Sequence, residues 1–205
     1  LEHELQLDME SYDESIAKQK AEEAHLIVDG QAFSITREGV TFGRKSLAPD
    51  EVQGVRWGTA VLPGNPPLCV MTLGFTAHDP ARSFKVLWAG TGGLEAERKR
   101  WDAAYAANTR FIVPAVLAQF SARLEQSMTQ EVGPVSVTKD GVHMLSRGWL
   151  GKTKKVLVPW SDLVAHLSDN VVDLRSRRDP KVGERLDVTT VDNAVPGAWE
   201  AKKRS

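Results

Sequence analysis

Phe33-Ser34-Ile35-Thr36-Arg37-Glu38-Gly39-Val40-Thr41-Phe42 lies without gaps on Val135-Ser136-Val137-Thr138-Lys139-Asp140-Gly141-Val142-His143-Met144, with four of ten positions identical. Both copies alternate apolar and polar residues up to an acidic residue followed by glycine. Alternation with a period of two marks a half-buried strand, and an acidic-Gly pair tolerates the positive φ of a tight turn, so each copy encodes a hairpin. A second landmark lies farther on, where Val55-Arg56-Trp57 matches Val158-Pro159-Trp160, the tryptophans eighteen and nineteen residues beyond their glycines. Self-similarity of this kind is the signature of a duplicated structural unit. The chain therefore divides into an N-terminal acidic helix or linker at residues 1–24, a first unit at 25–128 and a second at 129–205.

Outward from the first hairpin, short β-type runs alternate with turn residues, as in an antiparallel sheet. Leu26 to Val28, Phe33 to Thr36, Val40 to Phe42, Glu51 to Val61, Val70 to Ala77 and Ser83 to Trp88 read as six strands. After Gly90-Thr91-Gly92-Gly93 the period changes to helical, with Trp101 and Tyr105 on one face, and continues from Arg110 to Met128. Pro114 lacks an amide hydrogen and clashes with the preceding turn, which predicts a kink or a new helix start beside it. In the second unit, strands are expected at Pro134 to Thr138, Gly141 to Leu145, Lys155 to Trp160, Val164 to Leu167, Val171 to Leu174 and Leu186 to Val191. Residues 1–24 have high helix propensity, with Leu5, Met9, Tyr12 and Ile16 in one narrow apolar stripe.

Composition narrows the function classes. An apolar fraction of 41% and a charged fraction of 26% describe a folding globular chain. The net charge of −1 is uneven: eight acids against Lys18 and Lys20 give residues 1–24 a charge of −6, leaving +5 for the rest. So small an excess falls short of what a protein neutralising many phosphates carries, and nucleic acid is not an expected partner. The single cysteine, Cys69, sits in an apolar run and behaves as a small buried hydrophobe, so no intrachain disulfide can form. The five histidines are scattered singly, which predicts no metal site. No transmembrane segment or signal peptide is evident, and the expected location is cytoplasmic. A start at Leu1 rather than Met is expected of the C-terminal part of a larger protein. No Gly-x-Ser-x-Gly turn is present, and Gly148 to Thr153 lacks the spacing and the strand-loop-helix context of a phosphate loop. No cofactor is expected, and the chain is read as non-catalytic.

The pattern of strand, charged-Gly turn, strand, polar loop and strand ending in Trp resembles bacterial pleckstrin-homology-like (PH-like) domains in tandem. The resemblance implies an α+β, predominantly antiparallel β fold. It implies two curled sheets, the first closed by a long C-terminal helix, with the N-terminal helix ahead of them. It also gives interest to basic strand-connecting loops, since PH domains that bind phosphoinositides use such loops. Arg147, Trp149, Lys152, Lys154 and Lys155 are therefore the candidate ligand contacts, with Trp149 an aromatic flanked by glycine and leucine. Arg175, Arg177, Arg178 and Lys181 form a second basic group, and Arg37, Arg44, Lys45 and Arg56 a weaker one in the first unit. The expected function is protein interaction or scaffolding with a protein or peptide partner. The alternative is a peripheral membrane module on anionic lipid.

Overall fold

A computed structural model of the chain describes residues 23–64, 68–90, 94–147, 153–168, 171–188, 190–194 and 204. The expected N-terminal helix, Trp149 and Lys152 lie outside them, as do the side chains of Cys69 and Arg147. The fold is α+β and mostly antiparallel β, in four sheets with one central helix.

Strands β1 (Ala24–Val28), β2 (Gln31–Thr36), β3 (Gly39–Phe42) and β4 (Lys45–Leu47) form a four-stranded sheet in chain order. β5 (Val52–Leu62), β6 (Leu68–Ala77) and β7 (Phe84–Gly90) form a three-stranded one. The second half repeats this division. β8 (Gln130–Val132), β9 (Val135–Thr138), β10 (Gly141–Arg147) and β11 (Thr153–Pro159) make four strands, and β12 (Leu163–Ser168), β13 (Val171–Ser176) and β14 (Gly183–Asp187) make three.

One curled sheet per half was expected; two separate hydrogen-bonded sheets per half are found. The cause is the same in both: a single 3-10 turn, Pro49–Glu51 in one and Trp160–Asp162 in the other, interrupts the ladder before the next strand starts. In the first half the two sheets meet through their rings, Phe33 against Trp88 at 6.2 Å and Phe42 against Phe84 at 6.4 Å between centroids.

The aligned glycines occupy equivalent places. Gly39 has φ +139° and Gly141 φ +152°, and at both a Cβ would collide with a carbonyl oxygen across the ladder, that of Leu47 or of Val158. Thr36 and Thr138 each donate a side-chain hydrogen bond to the carbonyl of the glycine that follows, at 3.5 and 3.0 Å. The second landmark is corrected by the same geometry. The residues matching Val158-Pro159-Trp160 are Leu47-Ala48-Pro49, not Val55-Arg56-Trp57, because the β10–β11 hairpin is longer than β3–β4 and its extra residues made the tryptophan spacings agree.

The helix runs through α1 (Leu94–Ala107), a π-helical turn (Asn108–Ile112) and α2 (Val113–Glu125). It is central in the chain and packs its buried face of Ala104, Ala107, Ile112, Val116, Phe120 and Leu124 onto the core. Trp57, Trp88 and Trp160 are buried, and Trp101 is half-buried against Trp88 with ring centroids 5.9 Å apart. The buried apolar residues of both halves form one connected cluster.

The last expected strand ends early. β14 stops at Asp187, whose carbonyl accepts the amides of Thr190 and Val191 at 3.1 and 2.8 Å, and the turn so formed sends the chain to the first half. There Trp57 N–H donates to the Val188 carbonyl at 3.1 Å and Asn193 N–H to that of Val55 at 2.8 Å. The Asn193 side chain accepts from Val55 N–H at 3.1 Å and donates to the Gln53 carbonyl at 2.9 Å. Asp192 accepts from the Thr76 hydroxyl at 2.5 Å and faces Arg56 at 3.6 Å.

Candidate functional site

The β3–β4 turn, Phe42-Gly43-Arg44-Lys45, needs a left-handed residue, and Gly43 supplies it at φ +59° with its amide on the Ala32 carbonyl at 3.0 Å. A side chain at Gly43 would strike the Gln31 amide oxygen, so glycine also lets Gln31 lie against the turn. The loop before β7 is tied to the same place. Lys45 Nζ donates to the carbonyls of Ala81 and Ser83 at 3.2 and 2.8 Å, and the Ser83 hydroxyl accepts from Ala77 N–H at 2.9 Å. Between them opens a cleft of about 660 Å³ lined by Gln31, Phe42, Gly43, Arg44, Lys45, Phe84 and Lys85.

Its floor is the stacked pair Phe42 and Phe84, with planes 28° apart, and Phe84 leans in turn on Phe75 at 5.5 Å. Its rim is Arg44, Lys45 and Lys85, all exposed, and no carboxylate is among the described lining residues. Arg44, Lys45 and Lys85 make no ion pair among the described residues, and Lys45 donates to carbonyl oxygens. Nearby Arg82 does not add to this field. It forks onto Glu51 at 2.5 and 2.8 Å, and that hydrogen bonding, with the Ala48 amide, holds the Glu51 carboxyl down at about 2. The cleft can therefore take a negatively charged group with some apolar surface. Each exposed ion pair adds at most about 1 kcal/mol, so three cations acting together matter more than any one.

Of the five candidates from sequence, Trp149, Lys152 and the Arg147 side chain lie outside the described residues. Arg147 closes β10 opposite Thr153, Lys154 pairs with Ser146, and Lys155 pairs with Leu145. Neighbours on a strand point to opposite faces, so Lys154 and Lys155 leave the hairpin on different sides. Lys155 is engaged internally, donating to the Ser136 hydroxyl, which donates to Glu131 at 2.8 Å. Lys154 stays exposed.

Two members of the second basic group are paired with carboxylates. Arg175 bonds Asp173 at 2.5 Å and holds its carboxyl below the usual range, and Arg178 lies 3.6 Å from the buried Asp162. A depression of about 410 Å³ there carries Asp173 and Glu184 alongside Arg175, Lys181 and Arg185.

Of the weaker group, Arg37 faces Glu23 at 3.8 Å and Arg56 faces Asp192, while Arg44 and Lys45 form the cleft. Sequence reasoning missed Lys85, Gln31 and the phenylalanine floor because three separate stretches supply them. The available signal was Arg44-Lys45 directly after a turn glycine.

Among the described residues no three His, Cys, Asp or Glu side chains are grouped to hold a metal ion, and no helix is long and apolar enough to cross a membrane. Neither the scan against protein-family models nor the search of curated proteins gives a match for this chain.

Proposed function

We propose that the chain is a non-catalytic protein-interaction or scaffolding module of two PH-like units, and that its first unit takes an acidic segment of a protein partner in the cleft. The observation that carries this is the cationic rim of Arg44, Lys45 and Lys85 over a phenylalanine floor with no described carboxylate in the lining. An extended acidic segment with an aromatic or aliphatic side chain satisfies both parts at once, charge at the rim and apolar area below. The repeated four-plus-three strand arrangement and the matched Gly39 and Gly141 support the tandem reading. A cytoplasmic location accompanies it.

The test is fluorescence anisotropy of a labelled peptide of alternating glutamate and phenylalanine with the full chain. Binding should weaken as salt rises and fall at least tenfold in the Arg44→Glu, Lys85→Glu double variant with its circular dichroism unchanged. Undiminished binding by that variant defeats the proposal.

The alternative, anionic lipid engaged through the β10–β11 loop, draws on exposed Lys154, with Lys155 bonded to Ser136. Cosedimentation with phosphatidylserine vesicles, lost on Lys154→Glu and kept in the cleft variant, would favour it.

A further inference from the structure

We infer that residues 1–22 of the chain itself occupy this cleft, so that a partner's acidic segment competes with a built-in one; the inference rests on the reading of the cleft given above. Charge complementarity is the first argument. Seven acids against Lys18 and Lys20 make these residues the most acidic stretch of the chain, and the cleft offers three cations and no described carboxylate. Chemistry beyond charge is the second. Leu5, Met9, Tyr12 and Ile16 recur at three- and four-residue steps among the acids, the mixture that a phenylalanine floor beneath a basic rim accepts.

Reach is the third argument. The segment joins the sheet at Glu23, which lies 3.7 Å from His25 and 3.8 Å from Arg37, and continues directly into β1. β1 pairs Ala24 with Ile35 and Val28 with Gln31, so the cleft residue Gln31 lies at the far end of one short strand. That is about 15 Å along the sheet at roughly 3.3 Å per residue. Twenty-two residues span about 33 Å as a helix and about 70 Å extended, so either form covers the distance. A tether of this length holds the segment at about millimolar effective concentration, enough to fill a site of modest affinity in cis.

The test uses the same Glu-Phe peptide with two full-length chains, the wild type and one carrying Glu2→Gln, Glu4→Gln, Asp8→Asn, Glu10→Gln, Asp13→Asn and Glu14→Gln. The neutralised chain should bind the peptide at least tenfold tighter. Carbodiimide coupling of the wild type should join carboxylates of residues 1–22 to Lys45 or Lys85 within one chain. Equal affinities without such cross-links overturn the inference and leave the acidic-partner site standing. Absence of peptide binding to both chains removes site and occupant together. Cross-links only between isotope-distinguished chains overturn it in favour of a second copy as occupant.

Discussion

Glu51 shows how one side chain holds a corner that two sheets share. Its carboxylate accepts from Arg82 and from the Ala48 amide at 2.9 Å, joining the turn after β4 to the loop before β7. In the folded chain these donors lower its pKa from 4.5 to about 2, with the Arg82 hydrogen bond as the largest cause. A carboxyl whose folded value is depressed contributes stability that is fully present above its unfolded value and is lost as pH falls through the folded one. The window here runs from about pH 4.5 down to about 2. Glu51→Gln should therefore be less stable than the wild type by a constant margin above about pH 5, and the two should converge toward pH 2. Urea midpoints measured across that range decide it. Parallel curves would mean that the Arg82 contact contributes nothing in solution. Gly39 and Gly141 act by the opposite means, since what they supply is the absence of a Cβ where a carbonyl crosses the hairpin.

The central helix answers a geometrical problem at the scale of an element. Its buried residues Ala104, Asn108, Ile112, Val116, Phe120 and Leu124 recur every fourth position. Four residues advance about 400°, so such a stripe drifts by about 40° per step and in a continuous α-helix would swing half-way round the cylinder by Leu124. The π-helical turn absorbs one extra residue, about 100°, and returns the stripe to the core. It also suits Pro114. Val113 N–H reaches back to the Asn108 carbonyl, and widening the turn removes the demand for an amide at position 114 that proline cannot meet. Deleting Thr109 should restore α-helical winding and keep both buried faces, while bringing the proline ring against the Arg110 carbonyl at a cost of about 3 kcal/mol. Adding Pro114→Ala to the deletion should recover most of it, and denaturant midpoints of the single and double changes test the coupling. A proline replacement that recovers nothing would refute this account.

The sequence announced this break through Pro114, and it announced the twelve longer strands through period-two alternation and turn residues. β4 and β8, three residues each, were illegible because so short a run carries no period. The β14 boundary was missed because Val188 and Val191 look like strand residues and are apolar for other reasons: Val188 is buried where its carbonyl meets Trp57 of the first half, and Val191 packs beside Gly133. The cleft was legible only as Arg44-Lys45, since pairing between distant strands brings its other residues there.

For the whole molecule the question is what makes two halves one body, and among the described residues Val188 and Thr190 to Asn193 supply a set of directional contacts. They add main-chain hydrogen bonds to β5 at Val55 and Trp57, and Asn193, held at φ +60°, uses its side-chain amide to satisfy a donor at Val55 and an acceptor at Gln53. Asp192 adds the Thr76 hydroxyl and the Arg56 charge. Removing the Asn193 side chain leaves the Val55 amide and Gln53 carbonyl without these partners in a half-buried seam, a loss of about 1–3 kcal/mol. The apolar cluster continues across the same boundary, so the wild type should unfold in guanidinium as one transition, with tryptophan fluorescence and amide exchange in β6 and β13 coincident. In Asn193→Ala the coupling weakens while each half keeps its own sheets. The exchange curves of β6 and β13 should then separate, the less stable half opening first at a lower denaturant concentration. Curves that stay superimposed at the wild-type midpoint would show that apolar packing alone joins the halves and that the hydrogen-bonded seam is incidental to their cooperation.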